Sequence, residues 1–414
     1  MKKSLVVFPL LALGFGLEPA GAQSLKSLGQ SHGIYIGAAA SGVTNATYDS
    51  TLSHQFNGIV CENAMKFGSI MTGENAYSYS GADAIINFGV AHGMYTRGHN
   101  FIWHKQMPSW FSATSYMPSR DSTFRLMKKY ITAVMTHYKG KINEWDIVNE
   151  AVARDSSGMR LGSGYSDATQ NSKWAALTDA ANHNFDYIDS AYRYARQADS
   201  NVILIYNDYN CESRGKKSDL VYNLVSRLKA GKFIDGIGLQ CHFHLTTDTG
   251  DNGAWDPTQM ASNLQRLAAL GLRISFTEVD IRIKTANTSQ ADLTEQNNEY
   301  QTLMSLCLNQ PACKAFVTWG VNDSQSWVPG TFSGYGNALL FNNTTVNGEY
   351  GQKTTYTSVQ TALTSATGIR LEARHGRLRV LDGGAGPAFD VRGRRIGSLP
   401  YNPSFAVKKP SRAF

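Results

Sequence analysis

Eight short apolar runs separated by stretches with helical spacing constrain this chain more than any other feature. The runs fall at 33–39, 56–63, 94–103, 142–150, 202–210, 234–243, 273–281 and 315–323. Several are continuously apolar, as strands covered on both faces are. Between them apolar side chains recur at three and four. Phe124, Met127, Ile131, Val134, Met135 and Tyr138 do so before Gly140. Leu220, Val221, Leu224, Val225 and Leu228 repeat the pattern before Gly231, and Leu264, Leu267, Ala268 and Leu270 before Gly271. These stripes predict helices that end at glycine. Strand and helix alternating eight times over about 300 residues predict an α/β fold of the (β/α)8 barrel type. The competing architecture, a doubly wound open sheet, usually carries a glycine-rich phosphate turn after its first strand, and none follows 33–39.

In such a barrel the chemistry sits at the C-terminal ends of the strands. Polar residues gather there: Glu62 and Asn63, His104, Asn149 and Glu150, Asn207 and Asp208, Gln240 and His242, Glu278 and Asp280, and Trp319. Glu150 closes the fourth run and Glu278 lies near the end of the seventh, 128 residues later. On a ring of eight these positions are nearly opposite. Two carboxylates facing each other are the equipment for breaking a glycosidic bond, about 5–5.5 Å apart for retention and wider for inversion. A general acid must keep its proton, and a nearby carboxylate and an aromatic wall would raise its pKa. A nucleophile must stay ionised. The pattern supplies the pair without assigning the roles, and Asn149 is suited to bond a sugar hydroxyl beside the reacting carbon.

With 414 residues, 42% of them hydrophobic, there is material for one large domain and an appendage. Residues 1–22 read as a secretory signal peptide: Lys2 and Lys3, an apolar stretch from Leu5 to Leu17, then Ala20-Gly21-Ala22. Export permits disulfides. Cys307 and Cys313 flank a Gln-Pro turn and are the expected pair. The partners of Cys61, Cys211 and Cys241 stay open, and without any C-x-x-C spacing no structural zinc or other metal is expected. The net charge of +7 belongs to residues 368–414, which carry ten Lys/Arg and three Asp/Glu. Residues 23–367 carry 27 basic and 28 acidic side chains, a near-neutral body that suits a neutral polysaccharide rather than nucleic acid. Short apolar-basic runs at 370–371, 377–380 and 389–396 between glycines predict a small β-rich module.

Seven segments taken in order resemble glycoside hydrolase family 10. They are Phe-Asn-Gly-Ile-Val-Cys-Glu-Asn-Ala-Met-Lys-Phe (56–67), Arg-Gly-His-Asn-Phe-Ile-Trp-His (97–104) and Trp-Asp-Ile-Val-Asn-Glu (145–150). Asn-Asp-Tyr-Asn (207–210), Asp-Gly-Ile-Gly-Leu-Gln-Cys-His (235–242), Thr-Glu-Val-Asp (277–280) and Trp-Gly-Val-Asn-Asp-Ser-Gln-Ser-Trp (319–327) complete the set. The resemblance runs from about 33 to 360 and implies a (β/α)8 endo-β-1,4-xylanase with a retaining mechanism. It implies Glu150 as acid/base, Glu278 as nucleophile, His242 bonded to the nucleophile and Asp280 orienting His242. It also implies a sugar-binding set of Glu62, Asn63, Lys66, His104, Asn149, Asn207, Gln240, Trp319 and Trp327. Val60-Cys61 and Lys353-Thr354-Thr355-Tyr356 depart from the family's more usual wording, and neither touches the catalytic pair.

The expectation is therefore a secreted enzyme, bacterial and monomeric. It would act on xylan and xylo-oligosaccharides without a cofactor, as a barrel over 23–367. The basic module at 368–414 is expected to contact the cell surface, the export machinery or insoluble substrate, and 389–396 resembles sorting modules of some Gram-negative bacteria. The alternatives are a β-1,4-glucanase of the same clan and a non-catalytic polysaccharide-binding surface protein.

Overall fold

The computed structural model describes residues 23–178, 185–248, 253 and 255–365, and beyond them the backbone of four short strands. The leader at 1–22 and the boundary expected at 367/368 lie outside the described residues.

All eight expected strands form. They are β1 (Tyr35–Ala40), β2 (Gly58–Cys61), β3 (Tyr95–Ile102), β4 (Glu144–Asn149), β5 (Ile203–Asp208), β6 (Gly236–Leu239), β7 (Arg273–Lys284) and β8 (Cys313–Thr318). Each pairs in parallel with the next, and β8 returns to β1 from Tyr35↔Ala315 to Ala38↔Thr318, so the sheet is a closed barrel. The helical stripes form the outer layer. In Arg120–His137 the Ser119 hydroxyl caps the Ser122 N–H, and Leu126, Met127, Tyr130, Ile131, Val134 and Met135 are buried. Each such side chain contributes roughly 1.5–3 kcal/mol of burial. Gly140, at φ +77°, turns the chain back towards β4. The stripes before Gly231 and Gly271 become Lys216–Ala230 and Pro257–Ala269.

Two strands differ from expectation in ways that matter for the site. The run at 234–243 is two strands, β6 and a short piece His242–His244. Between them Cys241 takes φ +61°, so the chain turns sharply between Gln240 and His242. β7 runs on past the barrel to Lys284, with a register shift against β8 between Phe276 and Val279. Its extension pairs with the short piece, His242 opposite Asp280.

Cys307 and Cys313 are disulfide-bonded, joining the end of helix Gln290–Asn309 to the first residue of β8. Cys61, Cys211 and Cys241 are buried and free. Val60 and Cys61 are buried side chains of β2. Beyond the barrel, Arg370–Arg374 pairs antiparallel with Arg377–Leu381, and Pro387–Phe389 with Arg395–Ser398, so the single run expected at 389–396 is divided between two strands. Among the described residues no helix is long and apolar enough to cross a membrane.

Candidate active site

The C-terminal ends of the strands open into a cleft of about 480 Å³. Of the residues singled out in the sequence, Glu62, Asn63, Lys66, Asn149, Glu150, Gln240, His242, Glu278, Trp319 and Trp327 line it. The two carboxylates are therefore in one cavity, and the Glu150 charge acts on Glu278 directly, raising it.

Glu278 is held from both oxygens. The Asn207 amide donates to its Oε1 at 2.7 Å, and His242 Nε2 lies 3.2 Å from its Oε2. The other nitrogen of His242, Nδ1, is 2.9 Å from Asp280 Oδ2, which also accepts the Trp327 indole N–H at 2.8 Å. Burial lowers the His242 pKa, but the Asp280 charge and the bonds to Asp280 and Glu278 outweigh it and raise it to about 10. At neutral pH the ring is an imidazolium that donates to both carboxylates. Glu278 is held below the usual carboxylate range. Burial raises it, and His99 and His242 more than offset that.

Glu150 follows the last residue of β4 with φ +57°, a conformation a non-glycine residue adopts at a cost of about 1–3 kcal/mol and one that clusters at functional sites. Its N–H is tied to the Asn207 carbonyl at 2.9 Å, and Arg160 Nε donates to the Glu150 carbonyl at 2.9 Å. Oε1 receives the Gln240 amide at 3.1 Å and the Asn149 amide at 3.3 Å. A general acid needs a raised pKa, yet Glu150 is held down to about 2. Burial raises it, and the neighbouring His104, Trp103, Gln240 and Arg160 more than offset that. His104 itself is pushed down to about 3 by burial, so at neutral pH it is an uncharged neighbour. The lowering that stands at neutral pH is then chiefly the Gln240 amide bond and the charge of Arg160.

Two expected sugar contacts lie elsewhere. His104 is behind Glu150, its Nδ1 3.9 Å from Glu150 Oε2, in a small closed space with Arg160, Ser172 and Tyr187. Neither of its nitrogens has a hydrogen-bond partner. Neighbouring His99 and Trp103 line the cleft in its place. The 97–104 segment carried the signal, but it did not show which side chains face inwards. Asn207 is fully buried beneath the cleft floor. Its Nδ2 donates to Asn149 Oδ1 at 2.9 Å as well as to Glu278, while Thr277 Oγ1 fixes its Oδ1 at 2.7 Å. Gly238 in β6 makes room for it, because a Cβ there would collide with the Asn207 amide. Asn207 therefore positions Glu278 rather than meeting sugar.

Below this floor the barrel is charged, which continuous apolar runs did not announce. Arg97 bridges Glu144 at 2.7 Å and Asp146 at 2.8 Å, His99 meets Asp146 at 2.8 Å, and Arg273 reaches Glu144 at 3.0 Å. Such buried ions persist because each is paired with an opposite charge. The layer holds His99 upright into the cleft. On one wall Lys66 bonds Asn63 Oδ1 at 2.9 Å and stands 5.0 Å from the Trp103 ring. Lys105, Gln106, Arg154, Gln170, Tyr209, Asn210, Arg282 and Phe332 also line the cleft and were not singled out beforehand.

A closed parallel barrel whose strand ends bring one strongly ionised carboxylate to face another defines a glycoside hydrolase. The chain belongs to glycosyl hydrolase family 10, whose family model matches residues 24–362. It is 33% identical over 347 residues to endo-1,4-beta-xylanase B of Thermotoga neapolitana, covering 82% of this chain and 93% of that one. It is 33% identical over 370 residues to endo-1,4-beta-xylanase D of Talaromyces funiculosus, covering 88% and 83%. Among solved structures it resembles xylanase 10B of Thermotoga petrophila RKU-1 in complex with xylobiose. The TM-score is 0.73 and the identity 32%, over 82% of this chain and 97% of that one.

Proposed function

We propose that this protein is a retaining endo-β-1,4-xylanase. The observation that carries the mechanism is the unequal support of the two carboxylates in one cleft. Glu278, ionised and aimed by Asn207 and His242, attacks the anomeric carbon as Glu150 protonates the departing oxygen. The C–O bond to the leaving sugar breaks and a glycosyl ester on Glu278 forms. Glu150, now a carboxylate, takes a proton from water, which attacks the same carbon and frees Glu278. Asn149 presents to the 2-hydroxyl the amide hydrogen not bonded to Glu150, since its Oδ1 already accepts from Asn207 and Gln240. Glu62, Asn63 and Lys66 hold the next sugar on the non-reducing side, and Trp319 and Trp327 offer ring faces. A sugar seated on Gln240 draws that amide away from Glu150 and dries the carboxylate. Burial then dominates, and Glu150 can hold the proton it delivers. The substrate class rests on the xylanase relatives and on the family resemblance of the site. Proton NMR of the first product anomer tests the mechanism: β is expected, and early α would sink retention. Rates on xylan and carboxymethylcellulose test the substrate, with xylan preferred.

The leader pattern at 1–22 supports export, and the basic strands from 370 onward support a role in location. N-terminal sequencing of protein from the medium checks the first. Comparing retention of residues 23–367 and the full chain on cells and insoluble xylan checks the second.

A further inference from the structure

Lys217 is a buried cation outside the cleft that the mechanism above does not use. It stands in the first turn of helix Lys216–Ala230, its side chain 4% exposed. Its Nζ is 2.8 Å from Asp208 Oδ1, an ionic contact outside hydrogen-bond geometry, and 3.6 Å from the centre of the Tyr209 ring. Both contacts lead to the active site. Tyr209 lines the cleft near Glu150; burial raises its phenol, Lys217 lowers it and the Glu150 charge raises it. Asp208 accepts the Tyr206 hydroxyl through Oδ2. The same Tyr206 oxygen receives the Ala151 N–H at 3.0 Å and the Val152 N–H at 3.3 Å, the two residues directly after Glu150. One ammonium thus fixes an aromatic wall on one side and, through a carboxylate and a phenol, the strained backbone turn at Glu150 on the other.

We infer that Lys217 is a positioning residue that ties the Tyr209 wall to the Glu150 turn. It thereby couples binding of the leaving sugar to delivery of the proton. This rests on the reading of Glu150 as general acid. The acid stands on the side of the leaving oxygen, so an aromatic face beside it is placed for the leaving sugar. Lys217 keeps its charge: burial lowers its pKa, but Asp208 and Tyr209 raise it more. A buried ion pair of purely structural value would support both steps and all substrates alike. Coupling to the acid would not, because a leaving group that needs no proton escapes it.

The experiment compares xylotetraose with 2,4-dinitrophenyl β-xylobioside, whose leaving group departs unprotonated. Lys217→Met is expected to lower kcat/KM on xylotetraose by roughly 10- to 100-fold, the scale of an ångström's misplacement. On the aryl glycoside it should fall by less than about threefold, because that step draws little on general acid help. Lys217→Arg should restore much of the loss. Tyr206→Phe, which keeps the ring and cuts the link between Asp208 and the Ala151 N–H, should show the same selectivity and serves if the Met variant does not fold. Equal losses on both substrates, or loss on neither, overturn the inference. A wild-type enzyme inactive on both would instead sink the xylanase reading itself.

Discussion

The two halves of the catalytic cleft hold the same side chain in opposite ways. On the β7 side Glu278 is gripped by an amide and an imidazolium, which Asp280 and Trp327 back in turn. On the β4 side Glu150 has neutral amides in front and an uncharged, unbonded His104 behind, with the Arg160 charge held on its backbone carbonyl. Charge fixes the first in one protonation state. The second depends on donors that a substrate can claim, so it is the one able to change state during a turnover. Role follows from the neighbours and not from the residue.

The contrast can be broken most severely at Glu278. Glu278→Ala should lower kcat on xylan by at least about 10⁴-fold, since no other group there can form the ester. Retention of a few per cent of activity would mean the attacking group lies elsewhere. Glu150→Ala should cost on the order of 10²–10⁴ on xylan and much less in the first step on a dinitrophenyl glycoside. Equal losses there would erase the distinction between the two sides. The switchable character of Glu150 is read from pH profiles. kcat/KM reports the free enzyme and kcat the complex, so the basic limb of kcat should lie at higher pH than that of kcat/KM. Coincident limbs would show that substrate does not release Glu150 from its donors. The smallest effect concerns the fixed side. His242 rises from about 6.5 unfolded to about 10 folded, so its proton stabilises the fold fully below about pH 6.5. That contribution declines as pH climbs towards about 10. The melting-temperature gap between wild type and His242→Gln should shrink over this window, and a gap constant with pH would deny the imidazolium.

The ring of eight strands was legible because each strand is a run buried on both faces, and the helices because their apolar stripes end at glycine. Glu150 and Glu278 were legible because strand ends in a barrel point at a common space. What escaped was orientation. Trp103 and His104 are adjacent, and only the path of the chain after β3 decides which of them faces the sugar. Asn207 looked like a contact because it is polar at a strand end. Gly238 opposite it clears the space that lets it sink beneath the floor. The charged layer of Arg97, Glu144 and Asp146 was hidden because ions paired across strands leave no mark in either strand alone. The turn at Cys241 has no sequence signature, since cysteine rarely takes a positive φ.

The pairing of β8 with β1 joins residues 280 positions apart, Tyr35 with Ala315. Until β8 has emerged from the ribosome, β1 and β7 are open edges with unmatched amides and carbonyls. Neither half of the sheet can complete itself, and contacts of such long range are slow to form. The chain therefore stays unfinished until β8 has been made, in need of protection from pairing with its neighbours, and becomes a barrel only then.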